Sequence, residues 1–290
     1  MSVVSSKSKI IFGEGKQSSL DAQLLGLVLE TLPAERPTIV PCGSKFSFSL
    51  FAQGYFCGKK IDSQKYLVFR DRDFDAKPSE EVRLIQLGSQ SVWLTHRACI
   101  ENYFLDPELI HDYWQEKYIE KQENNSKWAH KGSPGIDKIA QWIETAAKSL
   151  QDYQAVRWAL GELLFSSSTR THLKTTWTGG SGQLPSSLAL LDCRTQAIEL
   201  INQFRQAVET VTLDGFEASL ANYHQQFSQS EFWLQKQYVI WFHGKDIQKQ
   251  MQKQESQYIS LERFFYWAAN KLDIDRHLDL TELRSKIEQL

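Results

Sequence analysis

The chain has 290 residues and a formal charge of −2, and 41% of its residues are hydrophobic against 23% charged. That is enough apolar material for a large core and excludes long disorder, while the charge excludes a surface that is basic throughout. Nucleic-acid contact would have to rest on a local patch of Lys and Arg. No stretch approaches the roughly 20 apolar residues that span a bilayer, and the Ser- and Lys-rich start lacks the apolar core of a signal peptide. Cys42, Cys57, Cys99 and Cys193 form no Cys-x-x-Cys pair. A reducing, cytoplasmic setting is expected, with no zinc-finger pattern, disulfide framework or membrane partner.

Strand-like and helix-like segments alternate over the first third. Lys9 to Phe12 is a short apolar run ending at Gly13-Glu14-Gly15. Asp21 to Thr31 carries Leu24, Leu25, Val28 and Leu29 at helical spacing. Thr38 to Val40 predicts a second strand, stopped by Pro41-Cys42-Gly43, and Phe46 to Phe56 a helix, with a strand as the alternative that its aromatic content allows. Tyr66 to Phe69 predicts a third strand, running into Arg70-Asp71-Arg72-Asp73-Phe74-Asp75. Val82 to Leu87 and Ser91 to Thr95 predict two more. Strands alternating with helices imply a mainly parallel sheet flanked by helices, an α/β class. From Pro107 the pattern turns helical: Glu108 to Lys121, Ile136 to Phe165, Cys193 to Glu209, Leu213 to Phe227, Phe232 to Gln250 and Leu261 to Lys271. The expected organisation is an α/β domain over residues 1–106 and a mostly α-helical body over 107–290. The Ser/Thr/Gly-rich segment Ser166 to Pro185 predicts an exposed connector ahead of the alternative, a flexible or nucleic-acid-facing loop.

Ligands of an open parallel sheet bind beyond the carboxyl ends of its strands. Glu14 lies at one such end between two glycines, which let the backbone turn and expose the carboxylate. Asp71 and Asp73 follow the third strand, and their spacing of two places both on one side of an extended segment. Carboxylates at this density repel one another unless a cation sits among them, and hard oxygen donors suit Mg²⁺ or Mn²⁺. The competing reading is a solvated acidic turn with Arg70 and Arg72 as counter-charges. Gly13-Glu14-Gly15-Lys16 is not a P-loop: a Gly is required where Ile10 stands and a Ser or Thr where Gln17 stands.

Glu14-Gly15-Lys16 after strand one, Gly43-Ser44-Lys45 after strand two and Asp71-Arg72-Asp73 after strand three resemble a Toprim domain. The segment Arg97-Ala98-Cys99-Ile100-Glu101-Asn102-Tyr103 resembles the Glu-Asn-Tyr signature of Toprim proteins of the overcoming-lysogenization-defect (OLD) nuclease type, often associated with ATPases. Gly244-Lys245 is similar to the lysine turn that ends this domain, so residues 236–250 would return to the site. The resemblance implies Glu14 as metal ligand or general base, Asp71 and Asp73 as metal ligands, Glu101 as ligand or brace, and Lys245 as a catalytic cation. It also implies Lys16, Lys45 and Arg72 as contacts to phosphate. Nucleases of this kind carry an acid about four positions after the first glutamate; Ser18 and Ser19 stand there instead, with Asp21 the nearest acid.

The expected function is a Mg²⁺- or Mn²⁺-dependent phosphodiesterase, a nuclease or nickase acting on nucleic acid, DNA above RNA. The alternative is a catalytically weak Toprim-like metal-binding module that works with a separately encoded ATPase. A phosphatase of the Asp-x-Asp type fits less well, because that motif usually follows the first strand.

Overall fold

Ile10, Ile11 and Phe12 are apolar, two of them β-branched, and all are buried, so the first run forms the centre of a sheet rather than its edge. The computed structural model describes residues 9–30, 32, 37–43, 66–88, 91–124, 126–166, 173–179, 182–205 and 211–290. The sheet contains β1 (Ile10–Gly13), β2 (Thr38–Pro41), β3 (Tyr66–Arg70), β4 (Ile85–Gln86) and β5 (Val92–Leu94) in the order β2-β1-β3-β5-β4. β1 runs parallel to both β2 and β3, and β3 parallel to β5; only the two-residue β4 is antiparallel. The register pairs Gly13 with Phe69, so Glu14 and Asp71 leave neighbouring parallel strands at the same edge. Ile10, Phe12, Val40, Cys42 and Val68 form one core face, against which Tyr66 and Val92 pack.

Eleven α-helices are found among the described residues, and the chain is mostly helical. They are α1 (Leu20–Glu30), α2 (Pro107–Asn124), α3 (Ile136–Ser149), α4 (Gln151–Ser166), α5 (Leu190–Arg205), α6 (Leu213–Phe227), α7 (Ser230–Leu234), α8 (Tyr238–Trp241), α9 (Gly244–Gln254), α10 (Leu261–Ala268) and α11 (Leu278–Glu288). No helix among the described residues is long and apolar enough to cross a membrane. The expected helix Phe46 to Phe56 lies outside the described residues.

The described residues cluster into two compact units that do not follow chain order. One is drawn from the described residues up to Arg72, from Pro78–Ile100 and from Phe265–Leu290; the other from Asp73–Lys77 and Glu101–Phe264. The last segment therefore belongs with the sheet, not with the helical body. Within the first unit, α1 contacts β1, β2 and α11. α11 buries Leu280, Leu283 and Ile287 and uses a second face for polar bonds. Asp279 Oδ2 accepts the His96 N–H at 3.1 Å, Glu282 Oε2 accepts the Leu84 N–H at 2.8 Å, and Lys286 Nζ sits 3.7 Å from the Trp93 ring centre. Residues at these intervals share one side of a helix, so α11 is stitched along the β4–β5 region.

In the second unit α4 is central: Trp158 is fully buried and lies edge-on to Phe74 and Trp241, stacked on Tyr223. Two expected long helices are broken. Ile136 to Phe165 divides at Leu150, whose N–H turns back to Ala147 O at 3.0 Å while Ser149 Oγ donates to Ala146 O. Phe232 to Gln250 divides into α7, α8 and α9: Lys236 adopts φ 51° and Phe242 is extended at φ −86°, ψ 146°. Neither conformation continues a helix.

His96 is 3% exposed. Burial is the main cause that lowers its pKa to about 4; the Asp279 carboxylate opposes the shift, while Arg72 and Arg97 add to it. The unfolded ring titrates near about 6.5. Above that pH both states are neutral and no stability is lost; as pH falls from there toward 4 only the unfolded chain takes up the proton, so the fold weakens. Acid unfolding followed by circular dichroism should show this loss, roughly 3 kcal/mol in total. His96→Gln should flatten the dependence in that window.

Candidate metal centre

Asp71 is the first residue past β3 and is 5% exposed. Its Oδ1 accepts the Ile100 N–H at 2.9 Å, a bond that spans 29 residues and fixes the 3-10 helix Ile100–Tyr103 against the end of the strand. Cys99 and Glu101 flank Ile100. Asp71, Cys99 and Glu101 each offer a ligand atom, all within 4.8 Å of one another, and all three residues are buried. Such a group can hold a metal ion.

Glu101 is 6% exposed. Its Oε1 lies 3.4 Å from Lys245 Nζ, and its Oε2, equally buried, accepts no hydrogen bond among the described residues. Buried carboxylate oxygens are nearly always satisfied, because desolvation without a partner costs several kcal/mol. A buried carboxylate oxygen with no hydrogen bond is a place where a cation would be favoured.

Lys245 reaches Glu101 through a clamp. Asn102 is fully buried. Its Nδ2 donates to Val239 O at 3.0 Å and Phe242 O at 2.8 Å, and its Oδ1 accepts the Gly244 N–H at 2.9 Å. These bonds hold the α8–α9 corner and set the first turn of α9, where Lys245 sits. A Cβ at Gly244 would lie 2.7 Å from both Asn102 N and Oδ1, so only glycine permits the approach. The Glu-Asn-Tyr segment is thus one device: Glu101 as donor, Asn102 as clamp, and Tyr103 buried as its anchor.

Asp246, one residue on, is fully buried beside Lys245. Burial pushes its carboxyl up, but the Arg157 guanidinium and the His243 ring outweigh that, aided by bonds from Gly182 N–H and Gln154 Nε2, both at 2.8 Å. Its pKa ends below the ordinary carboxylate value. Gln154 also accepts the His243 N–H at 3.2 Å, and Arg157 covers the Phe74 ring.

The other expected site residues fall elsewhere. Asp73 has φ 50°, which breaks the alternation assumed for an extended segment, and its Oδ1 pairs with His243 Nε2 at 3.1 Å. It is not part of the cluster with Asp71. Glu14 is half-buried at the shared sheet edge, just before a turn that Gly15 makes at φ 84°, and is also outside the cluster. Arg72 is no phosphate contact: it is 0% exposed, its N–H bonds Thr95 Oγ1 and its Nε bonds His96 O. Lys16 is exposed; Lys45 lies outside the described residues. Ser19 stands at the start of α1 with its Oγ 3.4 Å from the Ala22 N–H, the place of an N-cap, and Ser18 is exposed. Cys99 carried no ligand signature in the sequence, since its partners are an aspartate far upstream and a glutamate two residues on.

No protein-family model matches the chain, and no curated protein matches it.

Gly244→Ala should lower stability by about 1–3 kcal/mol in denaturant unfolding, from the clash with Asn102. Asn102→Ala should cost at least as much, because it strips a buried carbonyl at Phe242 and a buried N–H at Gly244 of their Asn102 partner at roughly 1–3 kcal/mol each before relaxation.

Proposed function

We propose that this chain is a divalent-cation-dependent phosphodiesterase acting on nucleic acid, DNA in the first instance, on a Toprim-like domain of the OLD-nuclease type. One observation carries the reading: buried Glu101, with one oxygen unpartnered, shares a donor cluster with Asp71 and Cys99 while its other oxygen faces the Lys245 ammonium. Acidic donors for a cation, with a lysine beside them, are the two kinds of charge that a phosphodiester needs. A parallel sheet whose strand ends carry Glu14 and Asp71 at one edge supports the Toprim-like assignment.

Asp71 and Glu101 would hold the cation, which supplies charge neutralisation at a phosphoryl oxygen and makes water a better nucleophile. Lys245, 40% exposed, can reach a substrate phosphate from the first turn of α9. Glu14, at the same edge as Asp71, is the candidate to take the proton from water. Asp73 positions His243 rather than the cation.

A second reading is favoured by the same geometry. Glu14 and Asp73 lie outside the cluster and Ser18 and Ser19 stand where an acid would complete a second ion site. A chain holding one ion and no complete P-loop fits a weakly catalytic module that works with a separately encoded ATPase.

With Mn²⁺ or Mg²⁺, wild type should nick plasmid or cut single-stranded DNA. Asp71→Asn and Glu101→Gln should fall to background with the fold intact. Lys245→Ala should lose up to about a hundredfold, the worth of one charge contact to a transition-state oxygen. If wild type and all three variants are equally inactive on DNA and RNA, the partner-binding reading replaces this one.

A further inference from the structure

The Ser/Thr/Gly-rich segment is tied down rather than merely strung between helices. Its described parts are clipped to the second unit at two points: Arg157 Nε donates to Thr175 O at 3.2 Å, and the Gly182 N–H donates to Asp246 Oδ1 at 2.8 Å. Both clips trace to one ion pair, since Arg157 and Asp246 also hold each other. The second clip lays Gly182 along α9: a Cβ there would lie 3.5 Å from Lys245 Cβ and 3.6 Å from Lys249 Cγ. The stems of two lysines are therefore flanked by anchored backbone. That removes part of the side-chain entropy a lysine loses when it grips an anion.

α9 has two faces. Asp246, Ile247, Gln250 and Met251 are buried, and Asp246, the acid of this helix, is paired with Arg157. The other side carries Lys245, Lys249, Gln252, Lys253 and Gln254, cationic or neutral at every position. Lys249 and Lys253 enter no ion pair among the described residues. The three lysines recur every four residues, so each step rises about 6 Å and turns only about 40°. We infer that the Lys245–Lys249–Lys253 row is the track on which a nucleic-acid strand lies, gripping its phosphates without reading bases. This rests on the reading of the chain as a phosphodiesterase acting on nucleic acid. A regular line of compact point charges suits a polymer that carries one negative charge per repeat. A protein partner would need aromatic or arginine anchors, and a membrane surface an apolar face beside the lysines. The exposed side of α9 has neither. A strand on this row passes Lys245, the cation assigned to a substrate phosphate, and Lys249 and Lys253 extend the contact along it.

The test is fluorescence anisotropy of a labelled single-stranded oligodeoxynucleotide with the full chain in EDTA, so that cleavage does not intervene, over a series of NaCl concentrations. Wild type is compared with Lys249→Gln/Lys253→Gln, with Lys249→Arg/Lys253→Arg, and with Lys236→Gln, at an exposed lysine of the same unit off α9. The glutamine pair should bind about 20-fold more weakly at about 0.1 M salt. Its plot of log K against log salt should be shallower by about 1.4, two phosphates at about 0.7 each. The arginine pair and Lys236→Gln should stay within about twofold of wild type. Unchanged affinity and slope in the glutamine pair overturns the inference and leaves the phosphodiesterase reading standing. So does equally tight binding of polyglutamate, which would make the row a general anion surface. No binding of single-stranded DNA, duplex DNA or RNA by wild type overturns both. The expected change of slope in a chain that cleaves none of them with Mg²⁺ or Mn²⁺ supports the inference and removes the phosphodiesterase.

Discussion

Asn102 is the side chain on which the arrangement of the second unit turns. An amide has a fixed division of labour, two donors on nitrogen and an acceptor on oxygen, and here all of it is used: two carbonyls of the α8–α9 corner face the nitrogen and one N–H faces the oxygen. The chain leaves the helix at Phe242, which is extended, and the Phe242 carbonyl and Gly244 N–H that Asn102 takes up there are buried. Because Asn102 follows Glu101 directly, the clamp ties the position of a cluster donor to the position of Lys245. Glycine at 244 is the steric condition for that closeness.

Two acids near this corner show opposite bookkeeping. Asp246 is held by a guanidinium, an amide and a backbone N–H at the positive end of α9, so it is ionised and fully satisfied. It is a structural charge, and removing Arg157 would leave it stranded in the core. Glu101 has a single cation at 3.4 Å and one oxygen without a partner. The protein evidently satisfies buried carboxylates where structure alone is at stake. The contrast between the two is the physical reason to place chemistry at Glu101.

Much of the sheet was legible because short apolar runs ending at Gly, Pro or Asp leave little freedom: β1, β2 and β3 fall where hydrophobicity and punctuation put them, in parallel. α6 was equally plain, an amphipathic stretch opened by Thr212, whose hydroxyl accepts the Gly215 N–H. The break between α7 and α8 was hidden, since Lys236 takes a left-handed conformation with no glycine to announce it. α11 has no comparable signal in the sequence, because its apolar stripe is narrow and its other face is held by long-range bonds to His96, Leu84 and Trp93. At the site, Asp71 and Glu101 came from sequence, but the pairing of Asp71 with Asp73 rested on an extended backbone that φ 50° at Asp73 denies. Cys99 could not have been found from spacing, as only the fold brings it beside Asp71.

The most direct test of the account is the anomalous diffraction of a crystal soaked in Mn²⁺ or Co²⁺. One strong peak is expected within coordination distance of Asp71 and Glu101, with Lys245 beside it. A peak between Glu14 and Asp73, or none near Glu101 at saturating ion, would contradict it.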